Sequence, residues 1–568
     1  MKQKLTMPNK LMFRTSLGNL WADARGTHGE AQRRPKNLMV WHLVMLATLV
    51  VTLIWPASTA VAQQIIRVKI DRADYLRHDD KIGKNTQSLN GDVHLSHRNT
   101  KLICDSAYMY NDSNVVIAYG NIHVIQNDSV HLYGNKLTYL GNQNLVKVRE
   151  NVRANKGDTW LYTEHLDYDN VRDEAYFYNG GRVVNHENVL TSKRGVYYPM
   201  TNDVFFKDSV VGTSPRYRML TDTTSFNTHT EVVRILGPTE ILMNSDSTLI
   251  TSENGWYDTR ADVAKLLKNN QIYTPKNHSS LRGATILYER RKGLGTVWQQ
   301  MELADSTDQM VLMGDYGFYN EQTQEAMATR RALVTQTYGG DTLFMHADTF
   351  RVVPLADTSR LIKAYHQVKA YRRDLQARCD SLVFDFRDSV ATLYELPIVW
   401  SQGSQMTANV IKLYTKEQKL YKSELIEGAF IVQVEPDSVS YDQVKGKLIT
   451  GYIEHNELYL IHVDGNGQTI YYPKDGPNTI GVNRAESSNM SIWLKDRRIS
   501  NIVMRVSPTG NMNPPKLIGE KDQKLNGFRW LDDYRPKNKE QIFMRLDIPD
   551  DLMVQEEVFV GYEFDIEE

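Results

Sequence analysis

Cysteine is nearly absent. Two among 568 residues cannot staple a chain of this length, so disulfides do not carry the fold. Proline is sparse as well, at 17. An excess of either charge is missing: 67 Lys+Arg stand against 68 Asp+Glu, which argues against a dedicated polyanion binder. Long apolar runs are missing beyond residue 55, which excludes a polytopic helical membrane protein. Catalytic signatures are missing too. There is no H-E-x-x-H, no G-x-S-x-G, no phosphate-binding loop and no G-x-G-x-x-G. Asp464-Gly465-Asn466-Gly467 lacks the rest of a calcium loop, and His94 and His97 have no third ligand nearby. No catalytic residue, metal ligand or cofactor site is expected.

What is present begins with an address. Arg33, Arg34 and Lys36 precede an apolar run from Leu38 to Trp55, followed by Pro56 and small residues ending in Ala60-Val61-Ala62. That order reads as a secretory leader over 1–62, cleaved after Ala62; an uncleaved membrane anchor is the alternative. Without it the balance is 59 basic to 66 acidic residues, a mildly acidic body.

The body is a repeat. A Gly or Asn precedes β-branched, alternating positions at Gly91-Asp92-Val93, Gly120-Asn121-Ile122, Glu150-Asn151-Val152, Gly181-Arg182-Val183 and Asp208-Ser209-Val210. Aromatics recur at 110, 139, 168, 197, 226, 257, 288, 319, 350, 384 and 414, mostly 29 or 31 residues apart. A step near 30 residues held over eleven blocks signals a repeat architecture. Within each block the apolar period is two: Ile122 and Val124 flank His123, and Val146 and Val148 flank Lys147. Asn90-Gly91, Gly134-Asn135 and Asn179-Gly180 supply turns. Short, evenly spaced strands imply an elongated all-β stack. Asp128-Ser129, Asp246-Ser247, Asp341-Thr342 and Asp380-Ser381 read as turn chemistry, since acids on every coil suit no single active site. The aromatic register reads as a packing ladder. Residues 431–507 continue the strand pattern in divergent form, and 508–568 read as irregular, with nine acids and no Lys or Arg from 546 on.

The Gly-Asn-Ile/Val-x-Val blocks, the Asp-Ser/Thr turns and the Leu-x-Tyr blocks make residues 65–430 resemble the OstA-like family, the LptA type of lipopolysaccharide-transport protein. The run Gly446–Tyr472, with Ser488-Asn489-Met490 and Phe528-Arg529-Trp530-Leu531, is similar to the longer OstA-like proteins of Bacteroides-type bacteria. The resemblance implies an open, V-shaped β-jellyroll over 63–430 that carries lipopolysaccharide or lipooligosaccharide from inner to outer membrane in the periplasm, without enzymatic chemistry. It implies inner- and outer-membrane export components as partners, end-to-end self-association, and no nucleic acid.

The candidates for an apolar lipid groove are Val93, Ile122, Val124, Val130, Leu132, Leu137, Val146, Val148, Val152, Leu161 and Leu166. Periodicity alone favours a closed sandwich core, which needs the same pattern; the resemblance turns the reading to a lipid-facing trough. Two rivals stay open. One is an inner-membrane-anchored relay. The other is a β-solenoid enzyme acting on polysaccharides, which would need acids clustered on two or three adjacent coils.

Overall fold

The computed structural model describes residues 68–549, except 79–82, 339, 357–358, 418, 456, 477, 515–516 and 520–521. These residues belong to one unit, Arg67–Glu568. The expected leader or anchor over 1–62, and the acidic end beyond 549, lie outside them.

The described chain is all β, with a single 38-stranded sheet holding nearly every strand. The first strands are β1 (Lys69–Arg72), β2 (Tyr75–His78), β3 (Thr86–His97), β4 (Thr100–Tyr110), β5 (Val115–Gln126) and β6 (Val130–Leu140). Next come β7 (Leu145–Lys156), β8 (Thr159–Asp169), β9 (Glu174–Asn185), β10 (Asn188–Tyr198), β11 (Asp203–Thr213) and β12 (Tyr217–Asn227). From β3 on, each pairs antiparallel with the next. Each ~30-residue repeat therefore contributes one out-and-back pair of strands.

Every pairing from β3 to β12 breaks register once near its middle, for instance between Tyr119 and Ile122 on β5. The break sits at two consecutive left-handed residues: Gly91 (φ 76°) and Asp92 (40°), Gly120 (73°) and Asn121 (42°), Glu150 (63°) and Asn151 (50°), Asp208 (66°) and Ser209 (54°). Such a bulge bends the strand, so each strand serves two half-sheets. Glycine, Asn and Asp recur here because they enter this region at low cost. At Gly120 a side chain is also excluded by space, since a Cβ would stand 2.2 Å from an Asp105 carboxylate oxygen. The repeat block Gly181-Arg182-Val183 is corrected here: the left-handed pair in β9 is Asn179–Gly180, two residues earlier.

Two rows of side chains run across the sheet, one in each half, and face the core. The first passes Leu95, Leu102, Val124, Leu132, Ala154, Leu161, Val183 and Leu190. It continues through Gly212, Met219, Ile241 and Ile250 toward Ala377 and Val399. The second alternates large and small: Val116, Tyr139, Val146, Tyr168, Ala175, Tyr197, Val204, Phe226, Val233, Tyr257, Ala264, Tyr288, Gly295 and Tyr319. The row goes on through Ala326, Val352 and Ile362 to Phe384, so eight of the recurrent aromatics share it, as a packing ladder would. Tyr110, Phe350 and Tyr414 do not; Met109, Val352 and Leu413 take their places. Pairing register, rather than residue count, sets the row. At about 4.8 Å per rung the ladder has a contour on the order of 100 Å.

Strand Thr509–Asn513 pairs with Val482–Glu486, so the sheet extends past residue 507. The described residues between Leu517 and Ile548 then double back over the outer face of the sheet. Two buried glutamines clamp its backbone. Gln443 Oε1 accepts the Leu525 N–H (2.8 Å), and its Nε2 donates to the Gln523 carbonyl (2.8 Å). Gln405 does the same to Leu531 N–H (2.7 Å) and the Arg529 carbonyl (2.8 Å). Leu531 and Ile548 pack on Ile398 and Trp400, so this segment is a docked strap as far as Ile548 rather than a solvated one. Cys104 and Cys379 are free and buried.

Candidate binding cleft

The two rows do not meet everywhere. Leu102, Val124, Leu132, Ala154 and Leu161 are half-buried, as are Tyr139, Val146, Tyr168, Ala175 and Tyr197 opposite. Between them lies a cleft of about 590 Å³ that begins at Val68, beside the N-terminal edge, and reaches Val204. Its wall is mostly apolar, aliphatic and aromatic together. Seven of the expected groove residues line it: Val124, Val130, Leu132, Leu137, Val146, Leu161 and Leu166. The other four require correction. Val93, Ile122, Val148 and Val152 are at most 1% exposed and belong to the packed core beside the bend, where the two half-sheets are closest. Alternation puts all eleven on the inner face; the widening distance between the half-sheets decides which of them border open space.

Sequence reasoning missed Leu102, Ala154 and the phenol rungs. Tyr139, Tyr168 and Tyr197 are ladder members that also line the cleft. Tyr168 donates a hydrogen bond to Asp173, and its Oη accepts one from Gln126 Nε2 (3.5 Å). Burial pushes the Tyr168 and Tyr197 hydroxyls up to about 12, and the Tyr139 hydroxyl upward as well, so all three stay neutral phenols. Lys156 at the rim donates to the Pro199 carbonyl (3.0 Å) and to Asn202 Oδ1 (3.1 Å), with its ammonium 5.9 Å from the Tyr197 ring centroid. The cleft thus has a greasy floor and walls and a polar rim that carries two cations, Arg98 and Lys156. Such a surface suits an amphiphile. Among the described residues no group of three His, Cys, Asp or Glu could hold a metal ion.

The expectation of one trough along the whole stack is also corrected. From Val183 on the first row, and from Val204 to Tyr288 on the second, the same positions close. Val183, Leu190, Met219, Ile241 and Ile250 are 1–3% exposed, and so are Val204, Phe226, Tyr257 and Tyr288. Phe177 and Phe206, 6.4 Å apart, stand at the transition with Met219 and Phe226 and fill the space between the half-sheets. Bulk, not a change of topology, shuts the interior. No helix among the described residues is long and apolar enough to cross a membrane.

The sequence model of the family described as OstA-like protein matches residues 66–222 and again 217–343. No curated protein matches the chain. Eighteen solved chains do. One is Pseudomonas aeruginosa LptH, described as the LptA homologous periplasmic component of the conserved lipopolysaccharide transport device. It is 24% identical over 18% of this chain and 75% of its own, with a TM-score of 0.17.

Proposed function

We propose, from the match of the OstA-like family model to residues 66–343, that the chain is a periplasmic carrier of lipopolysaccharide or lipooligosaccharide, holding acyl chains in the N-terminal cleft on their way from inner to outer membrane. The observation that carries the reading is the opening of two core rows into an apolar cleft over β4–β10, while the same rows are shut further on. An acyl chain in water costs roughly 0.8 kcal/mol per exposed CH₂. A cleft of about 590 Å³ falls in the ordinary range of ligand pockets, so it shelters part of a multiply acylated lipid at a time and leaves the sugars wet. Contacts with Val and Leu are graded and non-directional, so no single step holds the lipid fast. No bond is made or broken.

The partners are the inner- and outer-membrane components of the export machinery. The cleft starts at Val68, at the edge formed by β1 and β2, where Tyr75 and Leu76 are 74% and 57% exposed. Among the described residues β1 and β2 pair only with β3, and an edge of that kind supports docking of another jellyroll whose groove would continue this one. The apolar run Leu38–Trp55 favours a second form of the same reading, a relay that stays anchored in the inner membrane.

The test is photo-crosslinking in cells, with a benzophenone amino acid at Val124 or Leu132 in the cleft and at Val148 or Ala377 in the closed core. Lipopolysaccharide captured from the first pair and not the second is the expected result. Equal capture from all four, or from none, removes the cleft as the carrier site.

A further inference from the structure

A second groove, polar and of about 1050 Å³, crosses β5–β10 on the outer side of the bend. Its floor is made by the residues that alternate with the core positions. His123, Tyr133, Arg153, Tyr162 and Arg182 are successive partners across β5, β6, β7, β8 and β9. They form a stack. The His123 ring lies 4.5 Å from Tyr133 at 12°, the Arg153 guanidinium stands 5.5 Å from the Tyr133 centroid, and the Arg182 guanidinium stands 5.7 Å from that of Tyr162.

Arg153 and Arg182 differ from the arginines around them. Arg149 is paired with Asp167 and Arg194 with Asp208, whereas neither groove guanidinium has an ion-pair partner among the described residues. The one carboxylate lining the groove, Glu164, accepts the Asn151 backbone N–H instead (3.1 Å). Each guanidinium lies over a tyrosine ring and donates no hydrogen bond to another group among the described residues, so its N–H groups are available to bind an oxyanion bidentately. The two arginines are two rungs apart, about 10 Å. Amide and hydroxyl groups of Asn121, Asn135, Asn179 and Thr191 line the walls and can donate to and accept from hydroxyls. Six strands give the groove a length of roughly 24 Å, far more than a lone anion fills.

We propose that this outer groove binds a phosphorylated oligosaccharide, with Arg153 and Arg182 each holding a phosphate and the amide-lined walls meeting the sugar hydroxyls. The same chemistry is offered by a free glycan and by the sugar portion of an acylated lipid. The site is separate from the cleft, and the assignment does not rest on the cleft's ligand.

The test is calorimetric titration of the full chain with three probes: deacylated, phosphorylated core oligosaccharide from lipopolysaccharide, the same oligosaccharide after phosphatase treatment, and inorganic phosphate. Saturable binding of the first probe is expected. It should weaken at least tenfold on phosphatase treatment, at least tenfold in the double variant Arg153→Gln/Arg182→Gln, and steadily with added salt. Arg194→Gln should leave it unchanged. Both arginines are exposed, so the double variant should keep the parent's thermal midpoint. Absence of saturable binding, binding untouched by the double substitution, or inorganic phosphate binding as tightly as the oligosaccharide would each overturn the proposal. Intact lipopolysaccharide is then added as competitor to the Ala154→Trp variant, whose cleft is blocked. Displacement of the first probe means that the sugar is lipid-borne, and no displacement means a free glycan; the groove stands in both cases.

Discussion

One substitution, made at two places on the same row, separates an open cleft from a closed core. Ala154 and Ala377 both belong to the first row, but Ala154 is half-buried against the cleft and Ala377 is 6% exposed among packed side chains. At Ala154 an indole has about 590 Å³ of open space to enter. It displaces ligand instead of protein. If it excludes three methylenes of an acyl chain, at roughly 0.8 kcal/mol each, lipid binding loses about 2.4 kcal/mol, or some 50-fold. The thermal midpoint should stay within a degree or two, because no native contact is lost. At Ala377 the same indole has nowhere to go. Overpacking of a filled core costs about 1–3 kcal/mol for an added methylene or two, and more for an indole, so Ala377→Trp should unfold at markedly lower temperature or not accumulate. The assay is polarisation of fluorescent lipopolysaccharide titrated with each variant, alongside thermal unfolding followed by circular dichroism. If Ala154→Trp binds lipid like the parent, the cleft is not where the lipid sits. If it is as unstable as Ala377→Trp, the space is not open and the contrast between the two halves of the row is wrong.

Three further outcomes are expected. Gln405→Leu removes two hydrogen bonds to the strap and leaves the Leu531 N–H and Arg529 carbonyl without partners. The strap's docking should weaken by about 2–4 kcal/mol, read as faster amide exchange across 525–535 with little change in the sheet. Gly120→Val puts a β-branched residue at φ 73° beside Asp105 and should cost about 1–3 kcal/mol in chemical denaturation, whereas Gly120→Asn, which tolerates that region, should cost less. Asp442 is held above the ordinary carboxylate range by burial and by nearby Glu435, although its carboxylate accepts the Tyr472 N–H (2.9 Å). A carboxyl raised in the folded state binds its proton more tightly than in the unfolded chain. Its favourable contribution is full below about pH 4 and is lost as pH climbs through its elevated folded value. Asp442→Asn should therefore gain on the order of 1–3 kcal/mol relative to the parent at pH 8 and nothing at pH 4, measured by denaturant titration at both.

Much of the architecture is legible before any coordinates. A period of two along Ile122–Val124 and Val146–Val148, a turn every fifteen residues or so, and Gly-Asp or Gly-Asn at the first two bends carry the antiparallel ladder, because each is a local demand of backbone geometry. The inner face of the candidate site is legible for the same reason. Which inner-facing residues border open space is not. Val124 and Val148 have equivalent neighbours in sequence, yet one lies where the half-sheets have separated and the other where they meet. That difference depends on side chains brought in from strands thirty to sixty residues away, such as Phe177 and Phe206. The strap is illegible for another reason. It has no period, and its anchors Gln405 and Gln443 look like ordinary polar strand positions until a second backbone is laid over them.

The plug formed by Phe177, Phe206, Met219 and Phe226 constrains how any acyl ligand can move. All four are at most 2% exposed. Pulling one aromatic or Met out of such a site costs about 1.5–3 kcal/mol in lost burial alone, and a passage wide enough for an acyl chain would displace several together. That sum approaches the whole stability of an ordinary domain. Threading past β11 is therefore blocked in this conformation. Entry and exit are left to the long open side of the cleft and to its end at Val68. A ligand that enters sideways and leaves at the N-terminal edge never has to part the packed half-sheets.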